Sequence, residues 1–270
     1  MPYIFVVGNE KGGAGKTTCC MHLIAALLDR FSVASIDADG RQGSLTRYIE
    51  NRTRYNASSR LKVPVPTHVR LNISSLEDAQ AARQAEKDEF MRALDQCSSA
   101  DIIVIDTPGS NSFLSQLAHS HADTIITPIN DSFVDLDVMA RIDPSSLKVI
   151  SPSIYSQMVW EQKINKAQRG GRPIDWVVMR NRRTNTDTNN KRQITTVLTE
   201  LAKRISFRQI DGFNERVIYR ELFLDGLTLL DLKKVRYGKA FTLSHVAARQ
   251  ELRDFVKAVC VNLDKDFDYA

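Results

Sequence analysis

Long apolar runs are missing from this 270-residue chain. Runs such as Ile102 to Ile105 and Trp176 to Met179, and even the longest, Leu23 to Leu28, fall far short of the roughly 18 to 20 residues that cross a membrane. The N-terminus goes straight into the strand-like Tyr3-Ile4-Phe5-Val6-Val7, without the charged start and cleavable apolar stretch of a secretory signal. A soluble, cytoplasmic protein is the expectation. Cysteine is scarce: Cys19, Cys20, Cys97 and Cys260 show no C-x-x-C spacing and no density that suggests disulfides, so reduced, buried thiols are expected. What the chain has is 43% hydrophobic content, enough for a full core, at a length that fits one large α/β domain over residues 1–270.

The net charge of +5 is unevenly placed. From Arg180 to Arg220 ten Lys and Arg stand against four acids, a local +6 that leaves the remainder near −1. On this count one region carries the basicity.

Short apolar runs bounded by polar turns alternate with helical patterns, the sequence form of βαβ units and a mostly parallel, doubly wound sheet flanked by helices. The expected strands are Tyr3 to Gly8, Val33 to Asp37, Asp101 to Asp106, Thr124 to Pro128 and Ile174 to Arg180, with a shorter one near Phe207. Helical patterns cover Lys16 to Arg30, Leu76 to Cys97 and Ser115 to Ala122. Another runs from His245 to Leu263, where Leu252, Phe255, Val256, Val259, Cys260 and Leu263 form one apolar stripe. Residues 47–75 break the rhythm with Pro64, Pro66 and scattered basic residues, and read as an irregular surface connection.

The stretch Gly8-Asn9-Glu10-Lys11-Gly12-Gly13-Ala14-Gly15-Lys16-Thr17-Thr18 follows a buried-type strand and opens a helix, the context a phosphate loop requires. Backbone N–H groups from Gly12 to Thr18 can curl round phosphates, and the helix N-terminus adds partial positive charge. Lys16 can reach the β and γ oxygens, and the Thr17 hydroxyl can sit on Mg²⁺. Two acidic segments complete the set. Asp37 and Asp39 leave the second strand at the carboxyl edge of the sheet, where α/β proteins bind ligands. Asp106 ends the apolar run Ile102-Ile103-Val104-Ile105, as the Walker B acid does, and is expected to hold Mg²⁺ together with Thr17 and Asp37. Gly109 then allows a mobile loop near the γ-phosphate. A guanine site needs N-K-x-D; after Asn165-Lys166 and Asn190-Lys191 the fourth residues are Gln168 and Gln193, so ATP is favoured over GTP.

In the ordinary G-x-x-x-x-G-K-S/T pattern the first position is glycine; here it is Glu10, and Lys11 follows. The variant resembles the deviant Walker A ATPases, the superfamily of ParA, MinD, the nitrogenase iron protein and the arsenical pump ATPases. That resemblance implies that Lys11 crosses a dimer interface to the partner's nucleotide, that Asp39 positions or activates the attacking water, and that adenine lies by Asn181-Arg182. Further strings resemble the MipZ family: Thr127 to Asp135, Arg216 to Phe223 and Gly226 to Leu232, supported by Asp175 to Arg182 and Ala247 to Arg253. The MipZ resemblance implies a nucleoid-associated ATP-dependent homodimer that is recruited by ParB, binds DNA without sequence preference and inhibits FtsZ polymerisation. The basic segment offers Arg183, Lys191, Arg192, Lys203, Arg204 and Arg208 for the DNA phosphates. Where the family has further basic residues around Asn189 and Gln193, this chain is neutral.

Four other readings compete. A short ParA-type partition ATPase shares the nucleotide site but not the strings. A MinD-type protein ends in a basic amphipathic membrane helix, whereas residues 264–270 here are acidic. An electron-transfer ATPase like the nitrogenase iron protein needs two cysteines per subunit in Gly-rich loops around a 4Fe–4S cluster, which Cys97 and Cys260 do not resemble. A metabolic kinase or synthetase of the same fold is the remaining class.

Overall fold

The computed structural model describes residues 1–143, 146, 148–183, 189–233, 235 and 243–263. Its elements in chain order are β1 (Tyr3–Val7), α1 (Lys16–Leu27), β2 (Val33–Asp37), α2 (Ser44–Ser58), β3 (Thr67–Arg70), α3 (Ala79–Gln96), β4 (Ile102–Asp106), α4 (Phe113–His121) and β5 (Thr124–Asn130). They continue with α5 (Phe133–Leu136), β6 (Ala140–Ile142), β7 (Val149–Pro152), α6 (Ile154–Gln168), β8 (Asp175–Asn181), α7 (Asn189–Ile205), β9 (Arg208–Asp211), α8 (Ile218–Leu224) and α9 (Leu243–Val259).

Seven strands form one parallel sheet in the order β3-β2-β4-β1-β5-β8-β9, with four-residue strands at both edges. Alternation along each strand feeds two cores. Phe5, Val7, Ile102, Val104, Val177 and Met179 face one side, packed under α1, α2, α8 and α9. Val6, Ile103, Ile105, Trp176 and Val178 face the other, under α3, α4, α6 and α7. Apolar side chains on both faces explain why the central strands read as unbroken hydrophobic runs. The expected helix after Leu76 begins later, at Ala79, where the Asp78 carboxylate accepts the Ala81 N–H and caps it. Among the described residues no helix is long and apolar enough to cross a membrane.

Residues 47–75 are not an irregular connection. They contain most of α2 and all of the edge strand β3, paired parallel to β2 from Ala34↔Thr67 to Asp37↔Arg70. The apolar stripe of α2 runs Leu45, Tyr48, Ile49 and then Arg52, all buried, so a charged residue fills the fourth place in the pattern. Arg52 is 1% exposed and makes a two-pronged pair with Asp231, at 2.7 and 2.9 Å, while also donating to the Gly226 and Pro64 carbonyls. Its partner lies 179 positions away, so no window along the chain could mark it as a core residue.

Candidate nucleotide site

The loop between β1 and α1 leaves the middle of the sheet and ends on Gly15, whose φ of 91° is left-handed and sterically open only to glycine. A side chain there would also strike Asn181, whose Nδ2 donates to the Ala14 carbonyl at 2.8 Å. Asn181 is therefore buried behind the loop, holding it in shape. Arg182, also at positive φ (49°), is exposed and lines two adjoining cavities. The larger, about 920 Å³, contains Gly12, Gly13, Gly15, Lys16, Thr17, Thr18, Asp39, Asp106 and Gly109. The smaller, about 190 Å³, adds Phe213, Asn214, Tyr219 and Phe223, an aromatic slot of the kind that takes a flat base.

Within the larger cleft the expected residues converge. Lys16 Nζ donates to the Lys11 carbonyl at 3.1 Å; burial lowers its pKa, against the pull of Asp106 and Asp39. Thr17 Oγ1 donates to Asp106 Oδ2 at 2.6 Å. Asp106 is 2% exposed and its other oxygen, Oδ1, has no hydrogen-bond partner. Burial pushes the Asp106 carboxyl up to about 7, with Asp37 and Asp39 adding to the rise and Thr17 and Lys16 opposing it. A buried carboxylate with an orphaned oxygen beside a hydroxyl is a donor set that suits a hard divalent cation such as Mg²⁺.

Asp37, expected to hold Mg²⁺, is not among the residues that line the cleft. It is fully buried, and its oxygens accept the Asp39 N–H at 3.1 Å and both the N–H and hydroxyl of Thr46 at 2.8 Å. The carboxylate fixes the start of α2 and aims the Asp39 loop rather than facing the cleft. Asp39 itself is half-buried and lines the cleft, where its Oδ1 accepts the Gln42 N–H at 3.3 Å.

Lys11 stands on the rim. Its Nζ pairs with Asp135 of α5 at 2.7 Å, with the lysine side chain 36% exposed. Asp135 closes the Thr127 to Asp135 string, yet nothing in the sequence pattern marks it as a site residue. Two further residues carry no sequence signal at all. Tyr155 donates to the Gly8 carbonyl at 2.8 Å and shares a hydrogen bond with Thr127, and His119 packs so closely on Gly8 that no side chain fits there. Both brace the back of the phosphate loop from distant elements.

The basic segment behaves differently from its count. Arg208 makes a two-pronged pair with Asp175 at 2.6 and 2.9 Å and donates to the Ala258 carbonyl; Arg183 pairs with Asp211 at 2.8 Å. Arg180 and Arg216 pair with Asp131 and Glu251, and Arg220 lies 3.9 Å from Glu215. Arg208 and Arg183, both expected as phosphate contacts, are thereby paired within the fold while keeping about a third of their side chains exposed. Arg192, Lys203 and Arg204 remain exposed on α7. The Lys191 side chain lies outside the described residues. All four cysteines are buried, Cys97 and Cys260 at 1% and 2% exposure, enclosed in the two cores rather than presented at a surface.

A family model described as ATPase MipZ matches residues 3–263. Solved structures with the same fold include an ATP complex of a McdA variant from Cyanothece, at 16% identity, TM-score 0.63 and 99% coverage of both chains. A plasmid partition protein of Borrelia burgdorferi bound to AMPPNP shares 17% identity over 96% of this chain and 100% of that one, with a TM-score of 0.58. The septum site-determining protein MinD of Pyrococcus horikoshii, complexed with Mg-ADP, shares 16% identity over 98% and 97%, with a TM-score of 0.57. No curated protein matches the chain.

Proposed function

The chain belongs to the MipZ ATPase family, and from that membership we propose an ATP-driven dimerisation switch that positions cell division by inhibiting FtsZ polymerisation near origin-bound ParB. The observation that supports the switch is Lys11. It lies in the phosphate loop, yet its amine points out of the phosphate pocket to the rim, where a partly exposed ion pair to Asp135 and a 3.5 Å contact to the Val134 carbonyl hold it. An amine so placed can be handed to the nucleotide of a second copy.

Inside the pocket the roles divide by geometry. The Gly12 to Thr18 amides and Lys16 bind phosphate charge, with Asn181 keeping the loop in shape. Thr17 and Asp106 are the residues to hold Mg²⁺, which supplies charge neutralisation at the phosphates when bound. Asp39 orients the water that attacks the γ-phosphorus, and Asp37 holds Asp39 in position. Arg182 and the aromatic slot beside it take the adenine. Hydrolysis ends the dimer, and a dimer presents two copies of each basic surface to DNA.

Lys16→Ala is expected to abolish nucleotide binding, whereas Asp39→Ala retains it and traps the dimer. An Asp39→Ala protein that elutes as a monomer in excess ATP sinks the switch. FtsZ sedimentation with this protein and ATP tests the division role: less FtsZ in the pellet supports it, and an unchanged pellet transfers the chain to a ParA-type partition role.

A further inference from the structure

The segment from residue 41 to 75 holds seven Lys and Arg against one acid, Glu50, the same excess of six as residues 180–220. One of the seven, Arg52, is buried against Asp231. The other six, Arg41, Arg47, Arg54, Arg60, Lys62 and Arg70, are all exposed, and no carboxylate among the described residues lies within ion-pair distance of them. Such side-chain contacts as they make are with uncharged groups. Arg47 donates to the Gln42 carbonyl, Arg70 to the Gly40 carbonyl, Arg54 to Asn51 Oδ1 and Lys62 to the Asn56 carbonyl.

Their placement is linear. Arg41 and Arg70 lie at the N-terminal end of α2, beside the Asp39 loop. Arg47 and Arg54 are seven residues apart, two turns of helix, and so share one face about 10 Å apart. Arg60 and Lys62 follow the C-terminal end, in a loop that Asn56 folds back onto the helix through Val63. A 15-residue helix is about 22 Å long, and one DNA strand offers a phosphate about every 3.4 Å along the axis. The stripe therefore spans several consecutive phosphates.

We propose that this stripe along α2, at the β3 edge of the sheet, is the main contact surface for the DNA phosphate backbone. The inference rests on the DNA-binding part of the function proposed above and assigns it to a different face from the 180–220 segment. Phosphate fits the chemistry better than an acidic protein does. Five of the six cations are guanidinium groups, which bind phosphate in a two-pronged fashion, and the exposed residues of α2, namely Arg47, Glu50, Thr53, Arg54, Ala57 and Ser58, include no large apolar side chain of the kind that centres a protein interface. The exposed apolar side chains nearby, Leu61 and Val65, lie beyond the helix end.

Fluorescence polarisation of a labelled random-sequence duplex with the full chain, ATP and Mg²⁺ provides the test. Arg54→Gln, Arg60→Gln and Lys62→Gln together are expected to weaken binding about tenfold near 0.1 M salt. The slope of log affinity against log salt should fall by about 0.9 for each phosphate no longer neutralised. Lys203→Gln with Arg204→Gln is expected to change both much less. ATP hydrolysis should be retained in both variants, because none of these residues lines the cleft. If the triple variant unfolds early, Arg60→Glu at its exposed loop position carries the same comparison. Equal affinity of wild type and the α2 variant, or a larger loss from the α7 variant, overturns the assignment while leaving DNA binding intact. No binding by the wild type in low salt overturns DNA binding itself. Loss of capture by polyglutamate with DNA affinity unchanged would give the face to an acidic protein and also overturn the proposal.

Discussion

Residues 41–75 and 180–220 carry the same excess of positive charge and dispose of it in opposite ways. In the later segment Arg180, Arg208 and Arg216 draw in Asp131, Asp175 and Glu251 from outside it, which halves the excess. In the earlier one, among the described residues, only Arg52 finds a carboxylate, and the rest are exposed. Ion pairs form across strands and helices remote in sequence, so a running charge count locates arginines without telling which of them still face a ligand. The difference also separates two uses of arginine: cross-linking elements of the fold, and presenting a field.

The sharpest way to break this comparison is Arg52→Ala. Removing one member of a fully enclosed pair strands Asp231, and the expected loss is about 3–5 kcal/mol in a denaturant melt. Arg52→Met with Asp231→Leu should recover much of that, and a melt unchanged by the single substitution would show the pair to be incidental. Next in size is Arg208→Gln, which releases Asp175 but involves a guanidinium 38% exposed; about 1 kcal/mol is expected, with DNA affinity unchanged. A drop in affinity there would return the 180–220 face to the DNA.

A smaller and local effect is expected on acidification. His68 of β3 bonds to Thr46 and Ser35, and burial lowers its pKa, with Asp37 and Glu50 pulling the other way. A histidine whose folded pKa lies below its unfolded value of about 6.5 stabilises at neutral pH and loses that contribution as pH falls below 6.5. Amide protection in α2, corrected for the slower intrinsic exchange at lower pH, should therefore fall below pH 6.5 before protection in α7 does; a simultaneous change in both helices would give the effect to the buried His22 and His119, whose pKa burial lowers to about 4, rather than to His68. The smallest effect is expected for Arg220→Gln, whose partner Glu215 is 3.9 Å away with both side chains more than half exposed. A shift of about 0.2 kcal/mol, at the limit of a melting curve, is expected.

The central strands and the phosphate loop were legible because their signals are local. Ile102 to Asp106 is apolar on both faces and ends in the acid that meets Thr17, and the spacing of Gly15, Lys16 and Thr17 fixes their shared helix N-terminus. What escaped depends on contacts distant in sequence. Helix α2 was hidden because Arg52 interrupts its stripe and is compensated by Asp231 179 positions later. Tyr155 reaches Gly8 across 147 positions. Asp37 and Asp39 looked equivalent, two residues apart at a strand end; only the approach of Thr46 shows that one aims the loop while the other lines the cleft.

The two flanks of the sheet carry a last consequence, which concerns how copies of this chain can meet. Both terminal strands, β3 and β9, are four residues long and carry arginine or aspartate at their ends. So short and charged a border gives an incoming strand little to zip onto, which protects the fold from edge-to-edge aggregation. It also removes the commonest route by which α/β proteins join into one continuous sheet. An association of copies would then fall to the helix faces or to the loops above the strand ends.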